Sequence, residues 1–149
     1  MKVKRKLFLL LALASLFQAA FVCSLAQNKS EKRQSLKLQV KGFETLDGVI
    51  KIAVYNNADS FLKKAIFVKS IPSDSIAKAP LEISLPVGVY AVSLYQDANN
   101  NGRLDTGTFG IPVEKYGFSN DAEVFMGPPS FKSCAFNLDR DSIIAITLK

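Results

Sequence analysis

Leu81-Glu82-Ile83-Ser84-Leu85-Pro86-Val87-Gly88-Val89-Tyr90-Ala91-Val92 sets apolar side chains at alternate positions, breaks at a proline and a glycine, and then resumes. Period two belongs to a strand with one buried face, whereas a helix would repeat its apolar residues every three or four positions. Residues 81–96 therefore predict a β-hairpin turning at Pro86-Val87-Gly88. The same alternation occurs upstream, where Leu36, Leu38 and Val40 interleave with Lys37, Gln39 and Lys41, and Ile50, Ile52 and Val54 with Lys51, Ala53 and Tyr55. Turn chemistry at Asn56-Asn57-Ala58-Asp59-Ser60 leads into a short helical turn over 61–64 and a strand over 65–71 that ends at Pro72. Downstream, 131–138 and 142–148 are β-rich runs joined by Asp139-Arg140-Asp141, which predicts a closing hairpin. Short strands without a long 3.6-period segment predict an all-β fold, an antiparallel β-sandwich of about seven strands, with a small barrel as the alternative.

Residues 1–26 have the order of a secretory signal peptide. Lys2, Lys4, Arg5 and Lys6 precede an apolar run, and Ser24-Leu25-Ala26 puts small residues where a signal peptidase cuts. Cleavage is expected after Ala26, giving an exported protein of the periplasm or the extracellular space. A lipoprotein anchored at Cys23 is disfavoured because Val22 stands where a small residue is expected. An uncleaved anchor is disfavoured too, since the apolar run of 16 residues over 7–22 falls short of the roughly 20 needed to span a bilayer. No stable membrane span is expected after cleavage. Residues 27–34 carry no apolar side chain, so 27–35 is expected to be a disordered leader and 36–149 a single domain.

The formal charge of +6 falls to +2 once the four basic residues of the signal leave, so the pI near 9.4 does not indicate a nucleic-acid partner. Cys134 is then the one cysteine remaining, which excludes an intramolecular disulfide. Its alternation with Phe136 and Leu138 predicts a buried, inert thiol. The chain has no histidine, which removes His-dependent nucleophilic catalysis and the usual zinc and copper ligands. Paired carboxylates of the glycosidase kind are available in composition but unmarked by any motif, and no enzyme is expected.

The strand pattern stops at Asp97 and a long segment rich in Asn, Gly, Pro and aromatic residues follows to Phe131. It begins Asp97-Ala98-Asn99-Asn100-Asn101-Gly102-Arg103-Leu104-Asp105. Side-chain oxygens at Asp97, Asn99 and Asn101, a glycine in sixth place, the Arg103 carbonyl and Asp105 in ninth place have the spacing of a calcium loop. A hard cation there takes six to eight oxygens at about 2.3–2.6 Å. The twelfth residue is Thr108 rather than a bidentate glutamate, which leaves Glu114, Asp121 or Glu123 to complete the shell. The metal-free alternative is a turn in which the Asx side chains cap backbone N–H groups. Further on, Phe109, Tyr116, Phe118 and Phe125 offer either a platform for a glycan or peptide or, buried, a plug for one end of the sandwich. A platform requires two or three of them coplanar and facing solvent.

Leu85-Pro86-Val87-Gly88-Val89-Tyr90-Ala91-Val92, the Asp97–Asp105 loop, Phe109-Gly110-Ile111-Pro112-Val113-Glu114, Tyr116-Gly117-Phe118-Ser119-Asn120 and Gly127-Pro128-Pro129-Ser130-Phe131 occur in that order. Together they resemble the bacterial exported family catalogued as domain of unknown function 2141, over 36–149. The resemblance implies a periplasmic or secreted bacterial protein with an immunoglobulin-like or transthyretin-like sandwich, and it implies no reaction. The expectation is a non-enzymatic module of the cell envelope, with a binding or scaffolding role and a structural calcium ion.

Overall fold

Two sheets face each other, and the alternation read above decides which side chains lie between them. Strand β1 (Arg33–Lys41) buries Leu36, Leu38 and Val40, and β2 (Val49–Tyr55) buries Ile50, Ile52 and Val54. Strands β3 (Phe67–Pro72), β4 (Leu81–Pro86), β5 (Gly88–Asp97), β6 (Tyr116–Phe118), β7 (Phe136–Leu138) and β8 (Ser142–Thr147) complete the set. The computed structural model describes residues 31–149, in which Lys32–Lys149 forms one compact unit. The signal peptide expected over 1–26 and residues 27–30 of the expected leader lie outside the described residues. Among the described residues no helix is long and apolar enough to cross a membrane.

The smaller sheet has the order β4-β1-β8, and the larger runs β3-β2-β5-β6 with β7 also paired to β5. Both predicted hairpins are thereby corrected. Pro86-Val87-Gly88 does turn the chain, but β4 pairs with β1 and β5 with β2, so the turn carries the chain from one sheet to the other. Likewise β7 joins β5 and β8 joins β1. The β1–β8 ladder is parallel, running from Leu36 opposite Ser142 to Lys41 opposite Thr147, in an otherwise antiparallel arrangement. β1 also starts at Arg33 rather than Leu36. Its first residues have partners: the Arg33 Nε donates to Ser84 Oγ (3.1 Å) and the Ser35 N–H to Asp141 Oδ1 (2.8 Å). Residues 131–134, expected as strand, form a one-turn helix (Phe131–Cys134) whose N-cap Ser130 accepts the Ser133 N–H at 3.2 Å. A second short helix, Ser73–Lys78, connects β3 to β4 and buries Ile76.

The sheets meet along one side, where the Tyr116 N–H donates to the Lys149 carbonyl (3.4 Å) and the Lys149 N–H to the Tyr116 carbonyl (2.9 Å). Gly117 permits this approach, since a Cβ there would lie 2.7 Å from Ile146 Cγ2 and 2.8 Å from the Thr147 oxygen. The main core holds fully buried Leu36, Leu38, Ile50, Val54, Leu138 and Ile146. On the outer face of the larger sheet, Tyr55, Phe61, Ala91, Phe118 and Cys134 form a second cluster, in which Phe61 meets Tyr55 and Phe131 edge to face at 5.1 and 5.8 Å. Burial pushes the Cys134 thiol up to about 11, which keeps it protonated and unreactive at neutral pH.

One edge of β5 is shared by two short strands, β7 along its first half and β6 along its second. Between them the ladder is interrupted at Val92, and the buried hydroxyl of Ser119 fills the gap. Its oxygen accepts the Val92 N–H at 2.9 Å and donates to the Cys134 carbonyl at 2.6 Å. A Ser119→Ala protein leaves both groups unsatisfied away from water and is expected to lose about 2 kcal/mol. Urea denaturation checks this, and a loss under about 0.5 kcal/mol would mean that the strand gap closes without the hydroxyl.

Candidate metal centre at the Asp97 loop

β5 delivers Asp97 to the end of the larger sheet with 1% of its surface exposed. Its Oδ1 accepts the Asn101 N–H and its Oδ2 the Gly102 N–H, both at 2.9 Å. Asn99 Oδ1 also accepts the Asn101 N–H (3.0 Å), and Asn101 Oδ1 accepts the Arg103 N–H (3.0 Å). Asn99 and Asn101 thus each turn onto the backbone two residues ahead, and Asp97 reaches four and five residues ahead, winding the loop tightly. Asn100 and Gly102 take positive φ values of 59° and 86°, a left-handed turn at which the sixth-position glycine carries no Cβ penalty.

The two amide nitrogens, Asn99 Nδ2 and Asn101 Nδ2, converge on Asp105 Oδ2 at 2.7 and 2.8 Å. Those bonds, Asn101's foremost and then Asn99's, together with the Arg103 guanidinium 3.4 Å from Oδ1, hold the Asp105 carboxyl below its usual range. A carboxylate favoured in this way lends the fold stability above the ordinary aspartate range, and that stability is lost as pH falls through and below it. Lys51 Nζ stands 3.8 Å from Asp97 Oδ2. Tyr95 donates its hydroxyl to the Gly102 carbonyl at 3.2 Å, and its acidity is weakened by burial first and then by the charges of Asp97 and Glu114.

Of the three acids proposed from sequence to complete the shell, Glu114 folds back onto the loop. Its Oε1 accepts the Ala98 N–H (3.0 Å) and its Oε2 the Asp105 N–H (2.9 Å), so one carboxylate ties the second and ninth loop positions together. Asp121 is committed elsewhere, to the Thr147 N–H at 2.7 Å and hydroxyl at 3.2 Å. Asp97, Asn99, Asn101, Arg103 and Asp105 do lie together, with the Arg103 N–H and guanidinium both directed into the cluster. Among the described residues no three His, Cys, Asp or Glu side chains gather into a metal-binding group. Any cation here therefore draws on amide and carbonyl oxygens beside the carboxylates, a donor set suited to a hard ion rather than to zinc or copper.

Sequence reasoning missed the support behind the loop. Gln96 donates its amide to the Thr45 and Asp47 carbonyls at 3.0 and 2.9 Å, pinning the 44–48 turn against the loop's root. Lys115 pairs with Glu44 on the same side. A polar glutamine on a buried position of β5 was the available signal, since a buried amide requires partners.

The aromatic residues divide into two kinds. Tyr116 and Phe118 pack edge to face at 6.1 Å with their planes 66° apart, and Phe118 is buried, so they form no coplanar platform. Phe109 and Phe125 are 95% and 84% exposed, contrary to the plug that would close one end of the sandwich. Phe109 sits at the tip of a small ribbon. The Val113 N–H donates to the Asp105 carbonyl (2.9 Å), Thr106 bridges Pro112, and the Gly107 N–H donates to the Ile111 carbonyl (2.8 Å).

Fold and site define a small all-β sandwich module that presents an Asx-rich loop. The chain belongs to the family described as uncharacterized protein conserved in bacteria (DUF2141), which it matches over residues 38–145. No curated protein and no solved structure matches it.

Proposed function

We propose that this is an exported, non-enzymatic module in which the Asp97–Asp105 loop binds a structural calcium ion, fixing the ribbon that follows. The observation that carries the reading is the return of Glu114 to the loop, where its carboxylate accepts the Ala98 and Asp105 N–H groups and so ties the second and ninth positions together. Lys51 at 3.8 Å and Arg103 at 3.4 Å are the cations that face these groups. Ion binding would turn the Asn99 and Asn101 amides so that their oxygens replace the nitrogens now directed at Asp105. Two neutral amides among the ligands favour modest affinity, of the kind useful outside the cytoplasm.

The test is thermal unfolding of the chain from Gln27 onward in calcium and in chelator, for wild type, Asp105→Asn and Glu114→Gln. Calcium at 100 times its dissociation constant is expected to stabilise the wild type by about 2.7 kcal/mol, with each variant responding less. Identical wild-type curves in calcium and chelator would reduce the loop to a turn. A glycan- or peptide-binding module remains the second reading, favoured by the exposure of Phe109 and Phe125 but without Tyr116 and Phe118 as part of its surface.

A further inference from the structure

Asn101 is the one asparagine of the chain that a glycine follows. Where the next residue has no side chain, its backbone nitrogen meets no Cβ of its own on the way to the asparagine amide carbon. Both residues are open to solvent, and a Cβ at Gly102 would find nothing within 4 Å, so the loop has room to bend there. The loop also places the groups that such an attack uses. The Gly102 N–H donates to Asp97 Oδ2 at 2.9 Å, which puts a buried carboxylate at the proton that the attacking nitrogen must lose. Asn101 Oδ1 accepts the Arg103 N–H at 3.0 Å, so a backbone donor polarises the amide carbonyl and meets the charge that develops on its oxygen. That same bond bends the side chain forward along the peptide that carries the Gly102 nitrogen.

We propose that the loop modifies itself at this point, Asn101 losing its amide to attack by Gly102 and becoming an acid. The Gly102 nitrogen forms a bond to Asn101 Cγ and gives its proton to Asp97. The bond from Cγ to Nδ2 breaks, and Nδ2 leaves as ammonia after taking up a proton in turn. Water then opens the cyclic imide, its hydroxyl going to a carbonyl carbon and its hydrogen to the Gly102 nitrogen. Opening at Cγ leaves aspartate, and opening at the backbone carbonyl leaves isoaspartate. The step consumes one water and involves no oxidation or reduction. Its consequence lies in the bond that is lost: Asn101 Nδ2 now donates to Asp105 Oδ2 at 2.8 Å, and after conversion two carboxylates meet there. A loop that holds itself together by hydrogen bonds thereby becomes one that a cation stabilises. This consequence rests on the calcium reading above, whereas the conversion rests on the hydrogen bonds of Asn101 and Gly102 alone.

The test is peptide mapping by mass spectrometry of the chain from Gln27 onward during incubation in neutral buffer, beside a synthetic peptide of residues 95–107. Amide loss is expected at Asn101 ahead of every other asparagine, and at least as fast in the folded chain as in the peptide. Gly102→Ala should slow it about tenfold or more in both, because the added methyl group obstructs the attacking nitrogen. Asp97→Asn should slow the folded chain about tenfold or more and leave the peptide unchanged, which a bare Asn-Gly sequence effect would not give. Conversion slower in the folded chain than in the peptide, or no faster at Asn101 than at the other asparagines, overturns the proposal. An Asn101→Asp protein, which carries the product, is expected to melt below the wild type in chelator and to gain more from calcium. Amide loss at Asn101 together with an Asn101→Asp protein indifferent to calcium upholds the modification and refutes the calcium reading.

Discussion

A Gly48→Ala protein is expected to unfold on the order of 12 °C below the wild type, the largest effect of an alanine at any of the chain's glycines. A Cβ at position 48 would lie 2.0 Å from the Asp97 carbonyl oxygen and 2.7 Å from the Ala98 Cα. Both are backbone atoms, so no side-chain rotation relieves the overlap. Gly48 also has φ 67°, and its carbonyl accepts the Ser73 N–H at 3.1 Å where the Ser73–Lys78 helix begins. Relieving the contact therefore displaces the end of β5, the turn before β2 and the start of that helix together. Left-handed strain and overpacking of this kind sum to about 4 kcal/mol, which sets the expected shift for a domain of this size. Calorimetry checks it, and a midpoint within about 2 °C of wild type would show that strand and turn are not in this contact in solution.

Asp97→Ala is expected to cost about 3 kcal/mol in chelator, before any ion is considered. The substitution strips the acceptor from two backbone N–H groups and leaves Lys51 without its carboxylate at a site that is almost wholly buried. Asp97→Asn retains one acceptor oxygen and should lose about half as much. Urea denaturation in chelator measures this structural part, and repeating it in calcium measures what the ion adds. If the alanine protein is as stable as the wild type in chelator but no longer responds to calcium, Asp97 is a ligand and not a structural anchor.

The alternation in β1, β2, β4, β5 and β8 was legible in the sequence because burial of one face leaves a period-two trace. What period two does not encode is the neighbour. Ile83 and Leu85 point inward whether β4 pairs with β5 or with β1, so the 86–88 turn read as a hairpin although it joins two sheets. Ser73–Lys78 escaped notice because a helix of six residues that buries Ile76 on its inner side is too short to show a 3.6-residue period. The Asx loop was legible residue by residue, since its hydrogen bonds are local. The choice of Glu114 over Asp121 was not, because it depends on β6 returning Tyr116 to Tyr95, which places Glu114 beside the loop, and on Thr147 engaging Asp121.

The parallel pairing of β1 with β8 governs the order of events when the chain folds. β1 is the middle strand of its sheet and its two neighbours begin at residues 81 and 142, so half of its backbone ladder waits for the far end of the sequence. A polypeptide emerging amino end first, from a ribosome or a translocation channel, can pair β2 with β3 and then β5 early. It cannot close the smaller sheet until residue 147 is free. Contacts so remote in sequence slow the final step, and during that interval Leu36, Leu38 and Val40 lack the cover of Ile146. A chain built this way stays threadable until β8 has emerged, and becomes resistant to unfolding only when β1 and β8 meet.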